Sequence, residues 1–254
     1  MNEISPSLPL QRPLFVTERT DNWWLGPGAT AVGLLFFVAY STWAAFQGAH
    51  FYVGPEDAPY YLSPFYSPWI QADWWPFSPA FLILWVPGGF RLTCYYYRKA
   101  YYRAFSLSPP GCAVGGRTHN YKGERVLFLF QNLHRFFLYL ALVLVVVLTR
   151  DAWLAFQFPD GWGVAAGSIV LTLNAVFLAA FTFGCNSLRH LVGGNVDCFS
   201  CVTFGRPRFK IWRIVTRFNE HHMEWAWISL FWVGFTDLYV RLVSMGIIGD
   251  LRIL

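Results

Sequence analysis

Charge is scarce in this sequence. Asp, Glu, Lys and Arg make up 13% of its 254 residues, about half of the ~25% that soluble domains carry. With 56% hydrophobic residues, the deficit excludes a disordered chain and argues against an ordinary domain surrounded by water. Cysteine is sparse as well: five residues, an odd number, are too few for a disulfide scaffold. No glycine-rich dinucleotide loop and no soluble domain are present, so flavin binding is not expected of this chain. Residues 1–22 are polar, mixed in charge and hold three prolines, unlike a signal peptide.

What the chain has instead is long apolar runs. A helix needs about 20 apolar residues to cross a bilayer core of ~30 Å. Five stretches qualify: about 27–47, 79–98, 124–149, 163–187 and 222–245. The second contains a Pro87-Gly88-Gly89 break, and the fifth is interrupted only by Glu224, Asp237 and Arg241. No hydropathy repeat relates the halves, which argues against an inverted-repeat transporter. The expectation is an all-α integral membrane protein, one domain, a bundle of five transmembrane helices.

Lysine and arginine set the orientation. The loop after the second span holds Arg98, Lys99, Arg103, Arg117, Lys122 and Arg125; the loop after the fourth holds Arg189, Arg206, Arg208, Lys210, Arg213 and Arg217. The 50–78 loop has no basic residue and three acids, Glu56, Asp57 and Asp73. The N-terminus and both basic loops are therefore expected in the cytoplasm, in a multi-pass protein of the cell (inner) membrane. The formal +5 charge then reflects topology and not nucleic-acid binding, and the tyrosines between the basic residues of 91–103 read as an interfacial aromatic belt.

The metal-capable side chains crowd onto that basic side. All five cysteines (Cys94, Cys112, Cys185, Cys198, Cys201) and five of the six histidines fall there: His119, His134, His190, His221 and His222. At helical spacing four spans carry polar stripes at this level: Arg91, Cys94, Tyr95 and Arg98; Gln131, His134 and Arg135; Thr182, Cys185, Asn186 and Arg189; His222, Trp225 and Ser229. Ionisable residues at membrane depth are costly and face a bundle interior or a functional cavity, so the stripes predict a shared polar chamber with His134 deepest. Several occupants fit the inventory. A haem b would use two axial histidines, such as His134 with His190 or His222. A Rieske-type [2Fe–2S] centre takes two thiolates and two imidazoles, a count met by Cys94, Cys185, His134 and His222, with Cys198-x-x-Cys201 as the rival thiolate pair. Zinc would accept the same ligands without redox function. Asp237 and Arg241, four apart, read as a salt bridge near the opposite surface.

Four stretches carry a resemblance: RLTCYYYRKAYYRAFS (91–106), QNLHRFFLYLALV (131–143), GCNSLRHLVGGNVDCFSC (184–201) and NEHHMEWAWISLFWVGFTDLYVRLV (219–243). Together they resemble the single-chain, five-helix membrane anchor of succinate dehydrogenase (respiratory complex II), of the actinobacterial type. The resemblance implies a flavoprotein subunit that oxidises succinate, an iron–sulfur subunit that passes electrons on, and an anchor in lipid that reduces a membrane quinone. It also implies a Rieske-type [2Fe–2S] centre, carried over onto Cys94, His134, Cys185 and His222, although the Cys-x-His…Cys-x-x-His signature of Rieske loops is absent. Arg91, Tyr95, His190, Trp225 and Ser229 are the candidate quinone-binding residues, because a quinone head group needs hydrogen-bond donors in a mostly apolar hollow. Three rivals stand beside this reading: the same anchor with haem b, a cofactor-free structural anchor, and a membrane thiol oxidase.

Overall fold

The computed structural model describes residues 13–72, 74–115, 124–194 and 196–254. Asp73, Arg117, His119 and Lys122 lie outside the described residues. In chain order the helices are α1 (Leu25–Gln47), α2 (Ala80–Thr93), α3 (Tyr95–Ser106), α4 (Leu127–Leu154), α5 (Ala166–Phe183), α6 (Asn186–Gly193), α7 (Gly205–Glu220) and α8 (His222–Ser244). Of these, α1, α4, α5 and α8 are long and apolar enough to cross a membrane. The fifth apolar helix, α2, has 14 residues and is therefore about 21 Å long, short of the ~30 Å core. Two antiparallel two-stranded ribbons, β1 (Tyr52–Val53) with β2 (Tyr61–Leu62) and β3 (Gln157–Phe158) with β4 (Gly161–Trp162), lie in the loops opposite the basic end.

The sequence predicts single helices over 79–98 and 163–187; the structure breaks both. Cys94 stands between α2 and α3 with φ −63° and ψ 126°, and Cys185 stands between α5 and α6 with φ −66° and ψ 132°. Each break has a side chain that takes over a carbonyl the helix would have bonded. The Arg98 guanidinium donates to the Thr93 carbonyl, and the Asn219 amide donates to the Gly184 carbonyl at 2.7 Å. Irregular backbone at membrane depth is tolerated only when its polar groups are satisfied inside the protein, and these two side chains meet that condition. Gly184 is needed here because a β-carbon would meet the Phe218 carbonyl at 2.8 Å.

In the bundle α5 packs between α4 and α8, and α2 packs on α4. Gly89 sits against the Phe137 ring, where any β-carbon would collide; this lets α2 approach α4 closely. α1 buries only Leu34, Ala44 and Ala45, so most of its apolar surface faces outward, as expected of a lipid-facing helix. The 205–220 segment, read from sequence as loop, forms α7. Its basic residues Arg206, Lys210, Arg213 and Arg217 recur on one side while Val215 is buried on the other, the pattern of a helix lying along the membrane surface.

The end away from the basic loops is held by closed polar networks. Asp237 and Arg241 form the expected i,i+4 pair at 2.7 Å, with side chains 0% and 1% exposed. Tyr40 donates to Asp237 at 2.6 Å and Ser63 donates to its other oxygen. Arg241 also donates to the carbonyls of Ala49 (2.9 Å) and Ala44 (2.8 Å). Asp250 accepts from Tyr61 (2.5 Å), Tyr239 (2.7 Å) and the Gly167 amide (3.0 Å).

Candidate metal centre

The two helix breaks bring the metal-capable side chains of the stripes to one level without any shared secondary structure: each cysteine is the residue immediately ahead of a new helix. Backbone amides of that helix's first turn approach each sulfur, those of Tyr96 and Tyr97 at Cys94 and those of Ser187 and Leu188 at Cys185. Both thiols are buried and free. Cys94 Sγ lies 3.6 Å from His222 Nε2, and Cys185 Sγ lies 3.1 Å from His134 Nε2. The imidazoles are held by aromatic faces: His134 stacks on Phe90 at 4.5 Å, His222 stacks on Phe181 at 5.0 Å, and the two phenyl rings meet edge to face at 5.5 Å.

The hydrogen-bond network assigns the His134 tautomer. Thr93 Oγ1 donates its proton to the Gly89 carbonyl at 2.7 Å, so it can only accept from His134 Nδ1, 3.0 Å away. His134 Nδ1 then carries the proton and Nε2 presents a lone pair toward Cys185. This is the arrangement by which an outer hydrogen bond orients a ligating histidine. On the other pair, His222 Nδ1 is buried and has no partner, and Trp225 Nε1 is buried and unpartnered as well.

Among the described residues, no three His, Cys, Asp or Glu side chains converge to hold a single metal ion. The donors form two thiol–imidazole pairs. A mononuclear zinc site wants about four ligands on one ion, whereas a Rieske-type cluster takes two thiolates on one iron and two imidazoles on the other. The two buried thiols and two imidazoles match that inventory, each thiol in contact with one imidazole. A bis-histidine haem would need two imidazole nitrogens facing one another, and here each Nε2 faces a sulfur.

The remaining expected residues separate into three places. Arg91 and Ser229 meet beside the chamber: Arg91 donates to Ser229 Oγ at 2.9 Å and to the Ala226 carbonyl at 3.2 Å. Its guanidinium lies 4.6 Å from the Phe181 centroid, and Trp225 packs nearby against Phe177 and Phe218. Tyr95, in contrast, is 47% exposed, while Tyr97 is fully buried, accepts from Arg91 and donates to the Ala226 carbonyl at 2.7 Å. The break at Cys94 resets the helical phase, so the tyrosine facing the chamber is two residues later than an unbroken helix would place it. His190 is exposed and lines a different pocket with Arg189 and Trp212. Cys198 and Cys201 are joined in a disulfide in the turn before α7; as found, they present no free thiolates, and Cys94 and Cys185 are the buried free thiols.

Arg98, expected in the polar stripe, belongs to the site's support, together with Thr93, Tyr97, Glu124 and Asn219, which escaped the sequence reading. Arg98 holds Glu124 through two bonds of 2.7 and 2.8 Å, and Tyr102 donates to the same carboxylate at 2.7 Å. The hydrogen bonds from Arg98, with help from Tyr102, hold the Glu124 carboxyl below the usual carboxylate range. Only the i,i+1 placement of Thr93 beside Cys94 was a signal visible in the sequence.

No curated protein sequence matches the chain. It is similar to a chain of the Mycobacterium smegmatis Sdh1 complex in the apo form, with 39% identity, 98% of each chain covered and a TM-score of 0.82. Residues 25–246 match the family described as the actinobacterial succinate dehydrogenase subunit SdhC. A subunit of this kind is part of an oxidoreductase whose succinate-oxidising site lies on another subunit, and it sits in the membrane with several apolar helices. The chain belongs to the actinobacterial succinate dehydrogenase SdhC family.

Proposed function

We propose that this anchor receives electrons from the iron–sulfur subunit of its complex and delivers them to a membrane quinone through a [2Fe–2S] centre held by Cys94, Cys185, His134 and His222. The observation that carries the reading is the pair of buried thiol–imidazole contacts at the two helix breaks. Such a centre, when bound, relays single electrons. Thr93 fixes the His134 tautomer, and the amides that begin α3 and α6 would donate to the sulfurs and tune the centre. Arg91, Ser229, Tyr97 and Trp225 supply hydrogen-bond donors in an otherwise apolar wall. The unpartnered Trp225 Nε1 is the donor free to meet a quinone oxygen. The N-terminus and the basic loops face the cytoplasm of a cell membrane, where α3, α6 and α7 offer a platform to the soluble subunits.

The test is electron paramagnetic resonance with a visible spectrum on the purified, reduced complex, wild type beside a His134→Ala, His222→Ala double variant. A [2Fe–2S] signal of low average g in the wild type, lost in the variant together with quinone reduction, is the expected outcome. A sharp haem b band without that signal would overturn the cluster. Neither signal, with quinone reduction intact in the variant, would leave only a structural anchor.

A further inference from the structure

We propose that the pocket between α4, α6 and α7 binds the phosphate of an anionic phospholipid. The pocket, about 730 Å³ in volume, is lined by Arg135, Arg189, His190, Arg208, Trp212 and one acid, Asp197. Three guanidinium groups therefore share a hollow with a single carboxylate. Arg208 is locked by the carbonyls of Val192 and Gly194, the latter at 3.0 Å. Arg189 donates Nε to Thr216 at 3.2 Å and lies 5.0 Å from the Trp212 ring centroid. These contacts fix positions without neutralising charge. Arg135 and His190 make no side-chain hydrogen bond or ion pair among the described residues, and Asp197 pairs with none of the arginines. Like charges gathered this way repel unless an anion joins them, and guanidinium forks match phosphate oxygens in particular.

The surroundings select a lipid as the bearer of that phosphate. Arg135 rises from the outward surface of α4 beside Phe136 and Tyr139, which are 68% and 49% exposed. On α7, Phe209, 39% exposed, stacks on the pocket's own Trp212 at 5.9 Å. The pocket thus opens beside apolar surface on two helices. A phospholipid satisfies both features at once, with its phosphate among the arginines and its chains along these aromatic side chains. A carboxylate from a soluble partner would satisfy only the charge. Basic pockets between helices at the cytoplasmic level of membrane proteins bind lipid head groups on this principle.

The experiment uses the intact purified complex, stripped of loosely held lipid by detergent washing. It is then re-equilibrated with vesicles of phosphatidylcholine, with or without phosphatidylglycerol, and bound lipid is counted by native mass spectrometry. The expected result is retention of phosphatidylglycerol over phosphatidylcholine, and a loss of about 25-fold in an Arg135→Gln, Arg189→Gln variant, about fivefold per arginine. Arg206→Gln, Arg213→Gln removes the same charge outside the pocket and should cost much less retention than the pocket variant, because no guanidinium–phosphate fork is lost. Arg135→Gln alone guards against misfolding, because among the described residues that side chain has no hydrogen-bond or ion-pair partner, and it should give the fivefold step. Equal retention in the pocket variants overturns the proposal. So does binding of inorganic phosphate alone as tight as the lipid, which would make the ligand a free anion. Loss of the soluble subunits with lipid retention unchanged would assign the pocket to protein docking instead, and overturn it as well.

Discussion

The two ends of this bundle bury polar groups in opposite ways. At the acidic end Asp237, Arg241, Tyr40 and Ser63 are bonded to one another and to backbone, with none of their buried side-chain nitrogens or oxygens unpartnered, and Asp250 is closed by three donors. At the basic end two thiols meet two imidazoles, contacts that are weak as hydrogen bonds, and two of the three buried unpartnered side-chain atoms among the described residues, His222 Nδ1 and Trp225 Nε1, belong there. A closed network is structural, since every member is consumed in holding another. An open one retains donors and lone pairs that a guest can use. Burial alone does not separate structure from function in a membrane protein; the balance of partners does.

The sharpest way to break this contrast is to open the closed end. Asp237→Ala leaves the Arg241 guanidinium buried with two carbonyls and no counter-charge. Removing one partner of a buried ion pair costs about 3–5 kcal/mol, so a large drop in the melting temperature of the complex and poor accumulation in the membrane are expected. His134→Ala should instead leave the melting temperature of the metal-free complex within a few degrees, since Phe90 and Thr93 remain packed. Equal losses from both variants would mean that the chamber is as structural as the acidic end.

The sequence made the contrast only half legible. The apolar runs of α1, α4, α5 and α8 follow from composition, and the Asp237–Arg241 pair follows from i,i+4 spacing. The level of the chamber was legible too, because polar residues in a charge-poor helix have few reasons to be there. The breaks were not. Nothing local in Thr93-Cys94-Tyr95 ends a helix; the cause is Arg98, held across a loop by Glu124, taking the Thr93 carbonyl. Nor does Gly184-Cys185 announce that Asn219, 35 residues later, caps it. A helix assumed to be continuous gives Tyr95 to the chamber, and the broken one gives Tyr97. Tertiary hydrogen bonds decide helix phase here, and a single sequence does not display them.

A subtler change sharpens the comparison inside the open end. Thr93→Val keeps the shape of the side chain and removes the acceptor for His134 Nδ1. The imidazole is then free to carry its proton on either nitrogen and to rotate off Phe90. Loss of an outer-shell partner of this kind typically weakens metal retention 10- to 100-fold. Iron per complex, measured after dialysis against a chelator, should fall accordingly while the melting temperature of the metal-free complex stays near wild type. Unchanged iron retention would show that Thr93 serves α2 alone, through its bond to Gly89.

The smallest expected effect concerns a closed pair at the open end. Glu124 lies just ahead of α4, and Arg98 holds its carboxyl below the ordinary range. A carboxylate depressed on folding adds stability above its unfolded pKa of about 4.3, and that stability is lost as the pH falls through the folded value. The melting temperature should therefore decline between about pH 5 and more acidic values. Glu124→Gln should flatten that part of the decline while lowering stability at pH 7 by on the order of 1 kcal/mol. The mutation also releases Arg98, whose hold on the Thr93 carbonyl keeps Cys94 at its break. If acid and Glu124→Gln both loosen iron at the same time as they lower the melting temperature, the closed pair is what maintains the open site. If iron is retained through the whole decline, the α2–α3 break holds without the pair, and the metal site is independent of it.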